Sequence, residues 1–133
     1  MEPQKMKLYR PTGLKELELV RDSGWRAWPP RLKDQPIFYP VTSFAYAEKI
    51  ARDWNSVLPA PDNLGFVTKF DISEAVAAKY PVQVAGGQEH SELWVPAEEL
   101  DAFNQGIVGV IRPVAAYRSG EKVALETVWN MDG

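Results

Sequence analysis

The 133-residue chain contains no cysteine and only one histidine. Without cysteine there is no disulfide framework, no thiolate zinc site and no cysteine nucleophile, and a cytoplasmic setting is the expectation. One histidine excludes a multi-histidine metal centre, so no metal is expected. Positive charge is also scarce: 15 Lys and Arg stand against 18 Asp and Glu, a formal net charge of −3. No basic stripe is available to neutralise a phosphate backbone, which argues against nucleic acid as the main partner. No apolar run approaches the roughly 18 residues of a bilayer span, and no membrane partner is expected. No basic segment leading into an apolar one opens the chain, so a secretory signal is not expected either. The motifs G-x-x-x-x-G-K-[ST], G-x-G-x-x-G and G-x-S-x-G are all missing, which removes the common phosphate-cradling turns and the serine elbow.

What the chain has in quantity is proline, with 11 residues, and aromatics, with five each of Trp, Tyr and Phe. Its length fits a single domain over 1–133, with a loose start over residues 1–5. Leu8 and Tyr9 begin a short strand ending at Pro11, and Thr12 stands where a helix N-cap belongs. Leu14, Leu17 and Val20 then recur at three-residue spacing up to a stop at Gly24. Trp28-Pro29-Pro30-Arg31 forbids helix and central strand, so Trp25 to Gln35 reads as a loop.

Ile37-Phe38-Tyr39 is a short strand, after which Thr42 or Ser43 caps a second helix. Ala47, Ile50, Ala51 and Trp54 share one face of that helix. Strands follow over Gly65 to Ile72, Val82 to Val84 and Leu93 to Val95, with a helical turn over Ser73 to Lys79. Pro96 opens a helix that Gly106 ends. Ile107 to Ala116 is the longest apolar strand, and Val123 to Trp129 is expected to pair with it. Early helices and late strands favour an α+β fold. Trp54 and Trp94 are expected in the core. Trp25 and Trp28, in the Trp25–Arg31 loop, are expected to form a surface for a protein partner.

Three segments at the mouths of these elements carry groups able to do chemistry: Tyr9-Arg10-Pro11-Thr12, Tyr39-Pro40-Val41-Thr42-Ser43 and His90-Ser91-Glu92. Arginine grips phosphate oxygens with a planar fork. Hydroxyls orient a ribose, and a carboxylate stabilises an oxocarbenium-like sugar. Tyr39 and Tyr46 could stack on a flat ring.

In this layout the chain resembles the mono-ADP-ribosyltransferase fold, in the branch with a first-strand arginine, a Ser-Thr-Ser element and a Glu-x-Glu element. Arg10 matches the arginine. Val41-Thr42-Ser43 is similar to Ser-Thr-Ser with its first position lost, and His90-Ser91-Glu92 is similar to Glu-x-Glu with histidine for the first glutamate. The size and the opening order also look like the small rifampin-modifying ADP-ribosyltransferases. From about Leu8 to Val114 the chain resembles short bacterial proteins labelled "ADP-ribosylation/crystallin J1". ADP-ribosyl hydrolases, by contrast, use clustered aspartates that are absent here.

The resemblance implies two small, mainly antiparallel sheet segments with helices alongside, and NAD as a substrate bound between them. Glu92 and Arg10 would then be catalytic. Arg10 would hold the pyrophosphate, Thr42 and Ser43 the nicotinamide ribose, and Tyr39 or Tyr46 the ring, with His90, beside the glutamate, as a further cofactor-binding residue. The alternative it leaves is the same fold acting as an inactive binding or regulatory module.

Overall fold

A computed structural model describes residues 4–84 and 91–129. Strand β1, Lys5–Thr12, alternates so that Leu8, Arg10 and Thr12 are buried on one side. It pairs antiparallel with β3, Leu64–Ser73, from Lys5↔Ser73 to Thr12↔Phe66. Strand β3 pairs in turn with β7, Ile107–Arg118, and β8, Glu121–Val123, completes a four-stranded sheet in the order β1-β3-β7-β8. The proline in β1 is harmless to this ladder. Tyr9 N–H and C=O point outward to Val41, so the N–H that Pro11 lacks, two residues on, also falls on the outer side.

Two further ribbons complete the strands. β4, Val82–Val84, pairs with β5, Ser91–Leu93, and β2, Ile37–Phe38, pairs with β6, Val95–Pro96. A single register connects the two. The pairs Ile37↔Pro96 and Phe38↔Val95 are continued by Val41↔Glu92, with Leu93 N–H donating to the Pro40 carbonyl at 2.9 Å. Val41 bridges Tyr9 on its other side, which joins this ladder to the edge of β1. The chain is therefore α+β, with antiparallel sheets and helices packed alongside. One four-stranded sheet and two ribbons stand where two sheet segments were expected.

The helices are α1, Leu14–Asp22; α2, Phe44–Asp53; α3, Glu74–Ala77; α4, Leu100–Gln105; and α5, Leu125–Val128. Ser43 caps α2 by accepting from Tyr46 N–H at 3.1 Å. Thr12 caps nothing. It is the last residue of β1, and Gly13 occupies the cap of α1 without a side-chain bond. The expected strand from Val123 to Trp129 is also corrected. Of that stretch only Val123, the last residue of β8, pairs with β7, and Leu125–Val128 is a helical turn whose apolar residues pack on the sheet.

The tryptophans change places with respect to expectation. Trp28 is 2% exposed and meets Phe38 and Phe70 at ring distances of 5.5 and 5.3 Å, in a core shared with Leu8, Leu93, Val95 and Phe103. Trp25 is half-buried and packs edge-on against Trp129 at 5.9 Å. Trp54 is 70% exposed and Trp94 45% exposed. Ala47 and Ala51 turn toward the sheet, whereas Trp54 lies just past the end of α2 and leaves the apolar stripe. Among the described residues, no helix is long and apolar enough to cross a membrane.

Small residues set how closely α2 approaches the sheet. A Cβ on Gly65 would lie 2.2 Å from the Ala51 carbonyl oxygen and 3.0 Å from Asn55 Cβ, and backbone cannot yield as a side-chain tip can. Gly65→Ala should therefore cost about 3 kcal/mol through displacement of α2. Denaturant unfolding checks this, and a loss under about 0.5 kcal/mol would show that the helix moves freely.

Candidate functional site

A cleft of about 430 Å³ opens where the edge of β1 meets the 37–42 and 91–96 ladder. Its walls include Arg10, Tyr39, Val41, Asn55, Glu92 and Trp94. The ladder register accounts for this set. Residues that face each other across antiparallel strands share a face, and side chains alternate along each strand. Tyr39, Val41, Glu92 and Trp94 therefore fall on one side, while Phe38, Leu93 and Val95 fall on the other and enter the core. Tyr39 and Trp94 touch edge to face at 6.1 Å.

Glu92 is held at both oxygens. Trp94 Nε1–H donates to Oε1 at 3.0 Å, and the Tyr46 hydroxyl, arriving from α2, donates to Oε2 at 3.4 Å. Burial and the neighbouring Glu92 charge push the Tyr46 phenol above its ordinary value, so it stays a neutral donor. Beyond Ile50, which lines both spaces, a second hollow of about 440 Å³ lies between Tyr46, Lys49 and Trp54.

Arg10 is 9% exposed and committed to neighbours. Its Nε–H and one Nη2–H form a fork on Glu16 of α1 at 2.5 and 3.0 Å, and Nη1 donates to the Tyr39 carbonyl at 3.3 Å. Its guanidinium lies 4.5 Å from the Phe38 ring centroid and 5.8 Å from that of Trp28. Three of the five N–H groups of a guanidinium are thereby placed.

The cleft thus brings together Arg10, Tyr39 and Glu92, with Tyr46 touching the carboxylate from the side. It does not bring in Thr42 and Ser43 as lining. The Thr42 hydroxyl bonds that of Ser91 across the ladder, and Ser43 caps α2. His90 lies outside the described residues. Trp94, Glu16 and Asn55 were missed in the sequence. Trp94 was within reach, since a residue two after Glu92 on one strand must share its face. Among the described residues, no three His, Cys, Asp or Glu side chains cluster as metal ligands would. No protein-family model matches the chain, and comparisons with curated proteins and with solved structures likewise yield no match.

Two outcomes follow from these contacts. Glu16→Ala strands a buried guanidinium and should cost about 3 kcal/mol. The double variant Arg10→Met with Glu16→Leu should cost much less, because no charge is left without its partner. Equal losses in urea unfolding would mean that the pair is not coupled. For Tyr46, the folded state holds the phenolic proton more tightly than the unfolded one. Its contribution to stability is complete below the unfolded pKa of 10.0 and is lost as pH rises through the higher folded value. In Glu92→Gln the Tyr46 pKa should move down toward the ordinary value. Ring-carbon NMR of labelled tyrosine reads this, and an unmoved Tyr46 resonance would show that Glu92 does not act on it.

Proposed function

We propose that the cleft binds NAD as a substrate and that the protein is a small ADP-ribosyltransferase-like domain of the cytoplasm. The observation that carries this reading is Glu92: a carboxylate on an open cleft wall, gripped by two neutral donors and facing the same space as Arg10 and Tyr39. Neutral donors orient a carboxylate without cancelling its charge. The negative charge then remains available for a positive centre developing in the cleft.

In this reading the N-glycosidic bond of NAD breaks as nicotinamide departs with the bonding electron pair. Glu92 stabilises the ribosyl cation, and a nucleophilic acceptor bonds to the anomeric carbon and gives up its proton. Tyr39 and Trp94 supply ring faces for stacking. Asn55 Oδ1 is buried at the cleft wall and has no partner among the described residues, which suits an amide or amino donor on the ligand. Arg10 keeps two N–H groups for the pyrophosphate while its other three brace the wall. Thr42 and Ser43, occupied by the ladder and the cap, serve the ribose only through the backbone they hold. A specific observation favours a second reading, an inactive binding module of the same fold: Glu16 already neutralises Arg10.

Incubation with NAD and chromatographic detection of free nicotinamide tests the proposal. Turnover should fall at least about a hundredfold in Glu92→Ala, with little change in melting temperature. Unaltered turnover in that variant would remove Glu92 from the mechanism. Calorimetric binding of NAD without nicotinamide release would select the module, and no binding would reject both readings.

A further inference from the structure

A second guanidinium, that of Arg31, lies close to the aromatic ring on which Arg10 stacks. The loop that carries it is built to hold still. Trp28 is anchored in the core, and its backbone is clamped from both sides by Asn104: Trp28 N–H donates to Oδ1 at 2.9 Å, and Nδ2 donates to the Trp28 carbonyl at 3.0 Å. Pro29 and Pro30 then stiffen the two residues leading to Arg31. The Arg31 guanidinium lies 5.8 Å from the centroid of Phe38, the same ring that Arg10 stacks on at 4.5 Å.

Two guanidinium groups therefore share one ring, with one carboxylate between them. Both Glu16 oxygens are taken by Arg10. Arg31 Nε–H is buried and meets no acceptor among the described residues. A charged donor left in that state is costly unless an acceptor arrives from outside the chain. Burial, followed by the positive charge of Arg10, pulls the Arg31 pKa below its ordinary value, and Glu16 and the Tyr39 phenol oppose this only in part.

We propose that Arg31, together with the N–H groups of Arg10 not used by Glu16 and Tyr39, forms an oxyanion site beside the Phe38 ring, suited to a phosphate or diphosphate. Two guanidinium forks over one aromatic ring match the several oxygens of a diphosphate better than a single carboxylate of a peptide. The existence of the site does not depend on Glu92. Its assignment to the diphosphate of a dinucleotide rests on the function proposed above.

Calorimetry on the full chain at low ionic strength, with inorganic pyrophosphate and separately with ADP-ribose, tests this. Pyrophosphate should bind, Arg31→Gln should weaken it by about tenfold or more, and Arg31→Lys should recover part of the loss. Absence of pyrophosphate binding, or equal affinity in Arg31→Gln, overturns the site. ADP-ribose binding that ignores Arg31→Gln also overturns it while leaving the dinucleotide reading intact. Arg31-dependent pyrophosphate binding without any ADP-ribose or NAD binding supports the anion site and removes the dinucleotide reading. A measurement on the unaltered sequence guards against a misfolded variant: pyrophosphate should shield Arg31 from phenylglyoxal, read by peptide mass spectrometry. Equal labelling with and without pyrophosphate counts against the site.

Discussion

One register, held between residues 37–42 and 91–96, organises both the core and the cleft of this protein. Side chains on a strand alternate, so this pairing sends Phe38, Leu93 and Val95 inward and Tyr39, Glu92 and Trp94 outward. A slip of one residue would exchange the two sets, burying a carboxylate and an indole N–H and exposing three core side chains. The hydrophobic demand of the core therefore aims Glu92. No separate device is needed to turn it toward the cleft, and Trp94 and Tyr46 only refine its orientation.

Electrostatics act on the opposite wall through a different balance. Arg10 lies inside the sheet edge over two aromatic rings, where an isolated charge would be strongly disfavoured. Glu16 makes its burial tolerable, and the consequence is a side chain with little freedom. The arginine most easily noticed in the sequence is thus mainly a brace. Both oxygens of its counter-charge, Glu16, are engaged in holding it there.

The elements were largely legible because their causes are local. Alternation marked β3, a long apolar run marked β7, and the serine before α2 is a cap whose bond spans three residues. The misreadings have physical sources too. Thr12 looks like a cap only if the strand ends at Pro11, but the missing N–H lies on the outer side and β1 continues through it. Val123, Leu125 and Trp129 fall at even spacing, as in a strand, whereas Leu125 and Val128 carry the three-residue spacing of a helical turn, and the turn prevails after β8 ends. Trp54 matched the apolar stripe of α2 by arithmetic, yet the helix ends one residue earlier and its direction changes. Convergence of side chains in the cleft depends on long-range pairing. Arg10 and Glu92 could be placed at strand edges from the sequence, whereas the Glu16 fork and the shared Phe38 ring could not.

The link between the cleft ladder and the main sheet is narrow. Tyr9 and Val41 exchange two backbone hydrogen bonds, at 2.8 and 2.7 Å, and the bridge involves one residue from each side. Such a joint behaves mechanically as a pivot, because it fixes the spacing of two backbones while leaving their mutual twist to side-chain packing. That packing includes the edge contact of Tyr9 with Phe44 at 6.1 Å and the buried Val41 side chain. The two walls of the cleft are thus joined by a backbone tie of minimal width. A molecule bridging Arg10 and Glu92 would act as a cross-strut, adding torsional stiffness to what the packing of Phe38, Leu93 and Val95 against Leu8 and Phe70 already supplies.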